Sequence, residues 1–338
     1  MITVLKLDLF TNSKVSINSK VTMFGVIFLL VLAVVPSLSV AASFAFISNQ
    51  LDNNVSIIDT TSNEVIETVT VTGKPVGVAV NSQKSHVYIS TPIGNGFSVL
   101  DANNFKLKRK VTTSNGALGI VSDNQGERVF VADWYENNIA VFDTHDFKLL
   151  TTIAVGQSPS GMVVSPDDRW LYVANRVDDS VSQIDLNTFK IRNTTKVGAH
   201  PFGLTIDKDG QRIYVSNVES DDVSILTTAG LKRVGKVKVG SRPYASALAL
   251  HDTLLFVTNQ DDTTVSVIDT QTLTEIKQIE VGEKPEGIST HPDGKRVYVA
   301  NWFDGTVSVI DATTLTIMTT IETGDGSRAF GQFISQQR

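Results

Sequence analysis

Residues 284–311 read KPEGISTHPDGKRVYVANWFDGTVSVID, and the rhythm of this stretch decides the fold. Pro285 opens a short run at 286–290 that the turn residues His291-Pro292-Asp293-Gly294 close. Residues 296–301 carry the alternating Val-Tyr-Val of a strand, Asp304-Gly305 form the next turn, and 306–311 are again β-branched. A fourth run at 317–321 completes the unit. Short β-branched and aromatic runs between Gly, Pro, Asn and Asp turns are strand signals. Outside the first 42 residues nothing has the length and apolar period of a helix.

The unit recurs every 42 residues. Gly77, Gly119, Gly161, Gly203 and Gly287 keep that spacing, with Ala245 in the missing place, and Pro75, Pro159, Pro201, Pro243 and Pro285 stand two residues earlier. Asp59, Asp101, Asp143, Asp185, Asp269 and Asp311 form a third column, interrupted by Thr227; Asn49, Asn175, Asn217, Asn259 and Asn301 form a fourth. Four-stranded units repeated around an axis make a β-propeller, and seven of them fill the chain after its first 42 residues. Residues 44–49 match the second strand of a unit and 329–334 match a first strand. The expectation is an all-β, seven-bladed β-propeller of four-stranded blades, closed by the C-terminal strand pairing into the N-terminal blade.

Tyr298-Val299-Ala300-Asn301, Tyr214-Val215-Ser216-Asn217 and Phe256-Val257-Thr258-Asn259, with Val-Ser-Val-Ile-Asp at 265–269 and 307–311, resemble the signature of the YVTN family of β-propeller repeat proteins. The resemblance covers residues 44–334 and within that family points to exported YncE-type proteins. It implies a binding protein, with single-stranded DNA as one candidate ligand.

The first 42 residues read differently. Lys6, Lys14 and Lys20, with Asp8 the sole acid, precede an apolar run from 23 to 35; Pro36 and the small residues Ala41 and Ala42 follow. This is the pattern of a secretory signal, and the run falls short of the roughly 20 residues of a membrane span. Cleavage near Ala42 would leave 43–338 as one exported domain, periplasmic or at the cell surface. That domain is expected to be a monomer without stable membrane insertion. The chain has no cysteine, which excludes disulfides, thiol nucleophiles and Cys-based zinc sites. Its net charge of −6 gives no global field for nucleic acid.

The repeated columns are read as structural: proline fixes φ where the first strand begins, and glycine suits a crowded centre. Asp accepts backbone N–H groups in its turn. The serine of Val-Ser-Val-Ile-Asp is expected to satisfy a backbone group of a neighbouring strand. Function then lies in what differs between blades. The position before the proline column holds Lys74, Gly116, Ser158, His200, Arg242 and Lys284, and a closing loop with two extra residues would add Arg328. These would surround one mouth of the channel. After the asparagine column come Trp134, Arg176 and Trp302, extended by Tyr135 and Phe303. Cations beside exposed aromatics form a stacking platform for an anion. The candidate ligand-binding set is therefore Lys74, Trp134, Arg176, His200, Arg242, Lys284, Trp302 and Arg328.

Two other basic columns, Lys106/Lys148/Lys190/Lys232 and Arg128/Arg212/Arg296, leave open that such columns merely keep the surface soluble. Asp178-Asp179, Asp221-Asp222 and Asp261-Asp262 have the look of calcium ligands but read better as solvated turns. No P-loop, metalloprotease or nucleophile-elbow motif is present. No catalytic residue, metal or cofactor is assigned. The leading reading is a non-enzymatic exported binding protein for an anionic small molecule, a nucleic acid or an envelope protein. A lactonase- or lyase-type enzyme and a surface-layer scaffold are the alternatives.

Overall fold

The computed structural model describes residues 43–335; the segment read as an export signal lies outside them. Among these residues the chain forms six four-stranded antiparallel sheets and one of three strands, Phe44–Asn49, Asn54–Asp59 and Glu64–Thr70. In the fifth blade the order from the axis outward is Pro201–Ile206, Arg212–Asn217, Asp222–Thr227 and Arg233–Lys238. The three-stranded sheet gains its inner strand from the C-terminus. Ala45 bridges Ile334 and Asn49 bridges Ser327, while Phe46 N donates to Phe333 O at 2.9 Å and Arg328 N to Ser48 O at 2.8 Å. The same segment also runs parallel to the next inner strand, where Val78 N donates to Phe330 O and Val80 N to Gln332 O. The molecule is a closed seven-bladed propeller, as its repeats require.

The glycine column is a steric necessity. A Cβ on Gly119 would stand 2.0 Å from Ser160 O, on Gly161 2.2 Å from Phe202 O, and on Gly287 2.2 Å from Arg328 O. In each case the obstacle is the neighbouring blade's backbone, one residue before that blade's own column position. The inner strands bulge here, the register shifting between Pro159 and Met162 and between Pro201 and Leu204. Hydroxyls on second strands stitch neighbouring blades: Ser48 Oγ donates to Val76 O, Ser90 Oγ to Leu118 O and Thr258 Oγ1 to Glu286 O.

Two sequence expectations change in detail. The serine of the third strand accepts from a side chain of its own blade, not from a neighbour's backbone. Asn301 Nδ2 donates to Thr306 Oγ1 and Ser308 Oγ, and Asn175, Asn217 and Asn259 repeat the pattern five and seven residues on. The arginine column is an inter-blade fastening. Arg128 Nη1 reaches Leu186 O, Arg212 Nη1 reaches Thr270 O, and Arg296 Nη1 bonds Thr60 O across the closing junction. The Asp column behaves as anticipated: Asp311 Oδ1 accepts from Thr313 N and Thr314 N, and Asp185 Oδ1 from Asn187 N and Thr188 N.

His291 belongs to the closing junction as well. It is buried, with Nε2 3.1 Å from Thr60 Oγ1, Nδ1 2.9 Å from Asp293 Oδ2 and Arg296 alongside. Burial and the Arg296 charge lower its pKa, against the opposing pull of Asp293.

Gly119→Ala is expected to cost about 3 kcal/mol by forcing two blades apart. Gly294→Ala meets no neighbouring atom and carries only the strain of its positive φ, about 1 kcal/mol; urea unfolding compares them. Because His291 is held neutral in the fold, its contribution is complete above the ordinary histidine pKa. It is lost as pH falls through the lowered folded value, since the unfolded chain takes up the proton first. The melting temperature should therefore drop from about pH 7 to about pH 5, and less steeply in His291→Gln.

Candidate functional site

The linkers between blades and the loops joining second to third strands share one face. The pre-proline residues Lys74, Ser158, His200, Arg242 and Lys284 all sit at φ between +52° and +58°. Side-chain oxygens of the preceding loop hold this bend. Lys74 N donates to Asn53 Oδ1, Ser158 N to Asn137 Oδ1, His200 N to Asp179 Oδ1 and Arg242 N to Asp221 Oδ1, at 2.8–3.0 Å. Asp178, Asp262 and Asp304 similarly accept from Gln157 N, Ser241 N and Glu283 N. Of the acids weighed as calcium ligands, Asp178, Asp179, Asp221 and Asp262 thus serve the linkers, Asp261 pairs with Lys284, and Asp222 pairs with Lys236. Among the described residues no three or more His, Asp or Glu side chains converge to hold a metal.

The structure corrects the register of Arg328. The closing segment has no extra residues. Ala329 occupies the glycine column, its N bonded to Ser48 Oγ as Gly77 N is to Ser90 Oγ. Arg328 therefore follows Val76, Leu118, Ser160, Phe202, Tyr244 and Glu286 in the ring between proline and glycine columns, and Gly326 takes the pre-proline place. In that ring Arg328 makes a two-pronged ion pair with buried Glu286, its Nη2 3.1 Å from Oε1 and its Nε against Oε2. Nη2 also donates to Tyr244 Oη at 3.2 Å and Nη1 to Gln50 Oε1 at 3.1 Å, the oxygen that Trp302 Nε1 reaches at 3.2 Å. Burial pushes the Glu286 carboxyl up, while Arg328 and a hydrogen bond from Gln260 hold it down. For Arg328 burial acts downward, but Tyr244 and Glu286 outweigh it and raise the guanidinium above its ordinary value.

The other sequence-predicted cations divide. Arg242 Nη1 is 2.8 Å from Glu219 Oε1, and Lys284 Nζ is 2.7 Å from Asp261 Oδ1. His200 Nδ1 lies 3.8 Å from the same Glu219. Among the described residues Lys74 Nζ reaches only the Leu51 carbonyl, at 3.4 Å. Arg176 stacks over Trp134 at 5.5 Å, and burial lowers its pKa. Trp134 in turn packs on Phe202, at 6.3 Å between ring centres.

Two features escaped the sequence reading. Phe202, Tyr244 and Phe330 pack together beneath this face, with ring centres 4.2, 4.9 and 5.8 Å apart, and each is nearly fully buried. The channel space, about 770 Å³, lies below them, bounded by Phe330, Gly203 and Ala245 at one end and by the first-to-second-strand turns at the other. The second feature is an arc of loop tips. Leu51, Ile93, Tyr135, Val177 and Phe303 occupy the same place in five consecutive blades around the closed ring, each 48–73% exposed. In the remaining two blades that place holds Glu219 and Asp261. The 42-residue spacing of these tips was the signal that could have revealed the arc.

With the architecture in view, the chain's likenesses take on meaning. The fold is that of the seven-bladed β-propellers. A YNCE-like β-propeller model matches residues 245–325 and a model of the seven-bladed β-propeller lactonases matches residues 146–230. Over these two stretches the chain is similar to YncE-like and lactonase-type propellers, in keeping with its seven blades. No curated protein matches it. Among solved structures it is similar to a functionally unknown protein from Desulfotomaculum acetoxidans, at 13% identity and a TM-score of 0.75, covering 86% of this chain and 98% of that one. Hydrazine synthase of Kuenenia stuttgartiensis aligns at 17% identity and 0.68, over 75% and 88%. Dihydro-heme d1 dehydrogenase NirN in complex with DHE aligns at 15% and 0.65, over 83% and 73%. At these identities the likeness concerns the fold alone.

Glu286→Gln leaves the buried Arg328 without its counter-charge and should cost about 3–5 kcal/mol. The double replacement Glu286→Leu/Arg328→Met should cost less than either single loss. Denaturant unfolding of Glu286→Gln, Arg328→Met and the double variant measures both effects.

Proposed function

We propose that the protein is a non-catalytic binding propeller that engages a macromolecular partner on the face formed by the linkers and the second-to-third-strand loops. The observation that carries this reading is the arc of Leu51, Ile93, Tyr135, Val177 and Phe303. Large apolar side chains gathered on one exposed face mark sites of protein–protein contact. Four of these tips are followed directly by an acid, Asp52, Glu136, Asp178 and Asp304. The partner surface that suits them is apolar with interspersed lysine or arginine. With the export signal expected at 1–42, that partner is an envelope or extracellular protein.

A second reading keeps the anionic ligand, single-stranded DNA included. It rests on Lys74 and the stacked Arg176–Trp134 pair. The pairing of Arg242, Lys284 and Arg328 with Glu219, Asp261 and Glu286 removes much of the field it would need. A lactonase-type activity has in its support the family match over residues 146–230.

A photo-crosslinking residue at Tyr135 or Phe303, introduced in the native cell, should yield a discrete adduct that the same group at Ile276 on the outer strand does not. Absence of an adduct at the tips, or equal adducts at all three positions, overturns the proposal. Oligonucleotide binding that weakens with salt and disappears in Lys74→Ala/Arg176→Ala would put the anionic reading in its place.

A further inference from the structure

We propose that the channel is a second binding site, open on the face opposite the apolar arc, for a small amphipathic molecule with an apolar body and a cationic head. Its size suits such a ligand: about 770 Å³ lies within the roughly 300–1,000 Å³ of small-molecule pockets. Its wall is built from Ile120, Met162, Leu204, Leu248, Ile288 and Phe330. The hydroxyls that reach it are largely spent on the protein itself: Thr205 Oγ1 donates to Ser246 O and Thr290 Oγ1 to Leu248 O. The packing of Phe330 on Phe202 and Tyr244 makes the far end blind. An apolar body thus finds aliphatic side chains in a channel closed at its far end, and burying it against them is favourable.

The lip selects the head group. Asp123, Asp207, Asp252 and Asp293 all line it. Asp123 is paired with Arg128, and Asp293 with Arg296 and His291. Asp207 and Asp252 have no ion-pair partner among the described residues; backbone N–H groups orient them instead, Gln211 and Arg212 for Asp207 and Lys208 for Asp252. Lys208 and His251 also stand on the lip, so the carboxylates outnumber the one permanent cation there.

The lip has a second distinction. Leu250, His251 and Asp252 lie in sequence at φ +49°, +56° and +65°. The corresponding turns carry a single left-handed residue, as at Gly126, Asp168, Gly210 and Gly294. Consecutive non-glycine residues in this region are strained, and such strain concentrates at ligand-binding positions. All three of these residues face the cavity, and Leu250 N is tied to Gly294 O in the next blade.

The test titrates purified full-length protein with three fluorescent probes of similar apolar size, one an alkyl pyridinium dye, one neutral and one a naphthalene sulfonate. The pyridinium dye should bind saturably at one site per chain. Leu204→Trp, which fills the cavity, should weaken it roughly tenfold. Asp207→Asn/Asp252→Asn should weaken the cationic probe about fivefold and leave the neutral one unchanged. Ile288→Phe serves as a second filling variant should Leu204→Trp fail to fold, with circular dichroism and melting as the check. Binding that both filled variants retain, or no saturable binding of any probe, overturns the site. Equal affinity for the sulfonate probe overturns the cationic head. Tyr135→Ser, on the other face, should leave all three titrations unchanged, which keeps this outcome separate from that of the partner-binding arc.

Discussion

Seven inner strands meet at one axis, and at five of the seven meeting points the distance is set by the absence of a side chain, Ala245 and Ala329 standing at the other two. At Gly119, Gly161 and Gly287 a single methyl group would fall within about 2 Å of the next blade's carbonyl oxygen. The bulge between the proline and glycine columns, the stitching hydroxyls of Ser48, Ser90 and Thr258, and the reach of Arg128, Arg212 and Arg296 to the next blade all presuppose that approach. So does the closing junction, where Ala329 takes the glycine place and Arg328 is drawn into the ring opposite Glu286. Close-packed interiors transmit such a constraint because they have little room to relax.

The fold was legible because it is periodic. Each column repeats one demand of backbone geometry, and five or six repetitions of Gly77 or Asp59 outweigh any local ambiguity. Arg328 reads as a pre-proline residue only while the closing loop is given two extra residues. Counting 42 residues on from Gly287 leads to Ala329 and puts Arg328 beside Glu286. The serine's partner is hidden for a related reason: the amide that satisfies Ser308 comes from Asn301, seven residues earlier and in a different column.

The face was less legible because its character depends on pairs that cross blades. Arg242 and Lys284 read as free cations while their columns are considered alone; Glu219 and Asp261, which hold them, belong to another column in which most blades carry an apolar tip. The channel is harder still to foresee. Whether it is open or plugged depends on the bulk of Phe202, Tyr244 and Phe330, aromatic rings at places where the other blades carry none. Repetition specifies the frame, and the departures from it specify what the frame presents to its surroundings.

The closing strand has a consequence in time. Phe46 is bonded to Phe333 and Ala45 is bridged to Ile334, so the first blade is finished by residues that leave the ribosome almost 290 positions later. Until they arrive, the strand Phe44–Asn49 presents an unpaired edge, and the seventh and first blades share only side-chain contacts such as those of Arg296 and His291 with Thr60. Contacts this distant along the chain form late and slowly. A nascent or interrupted chain therefore holds an incomplete ring whose open seam is adhesive, and the last residues act as a clasp that turns a row of blades into a durable disc.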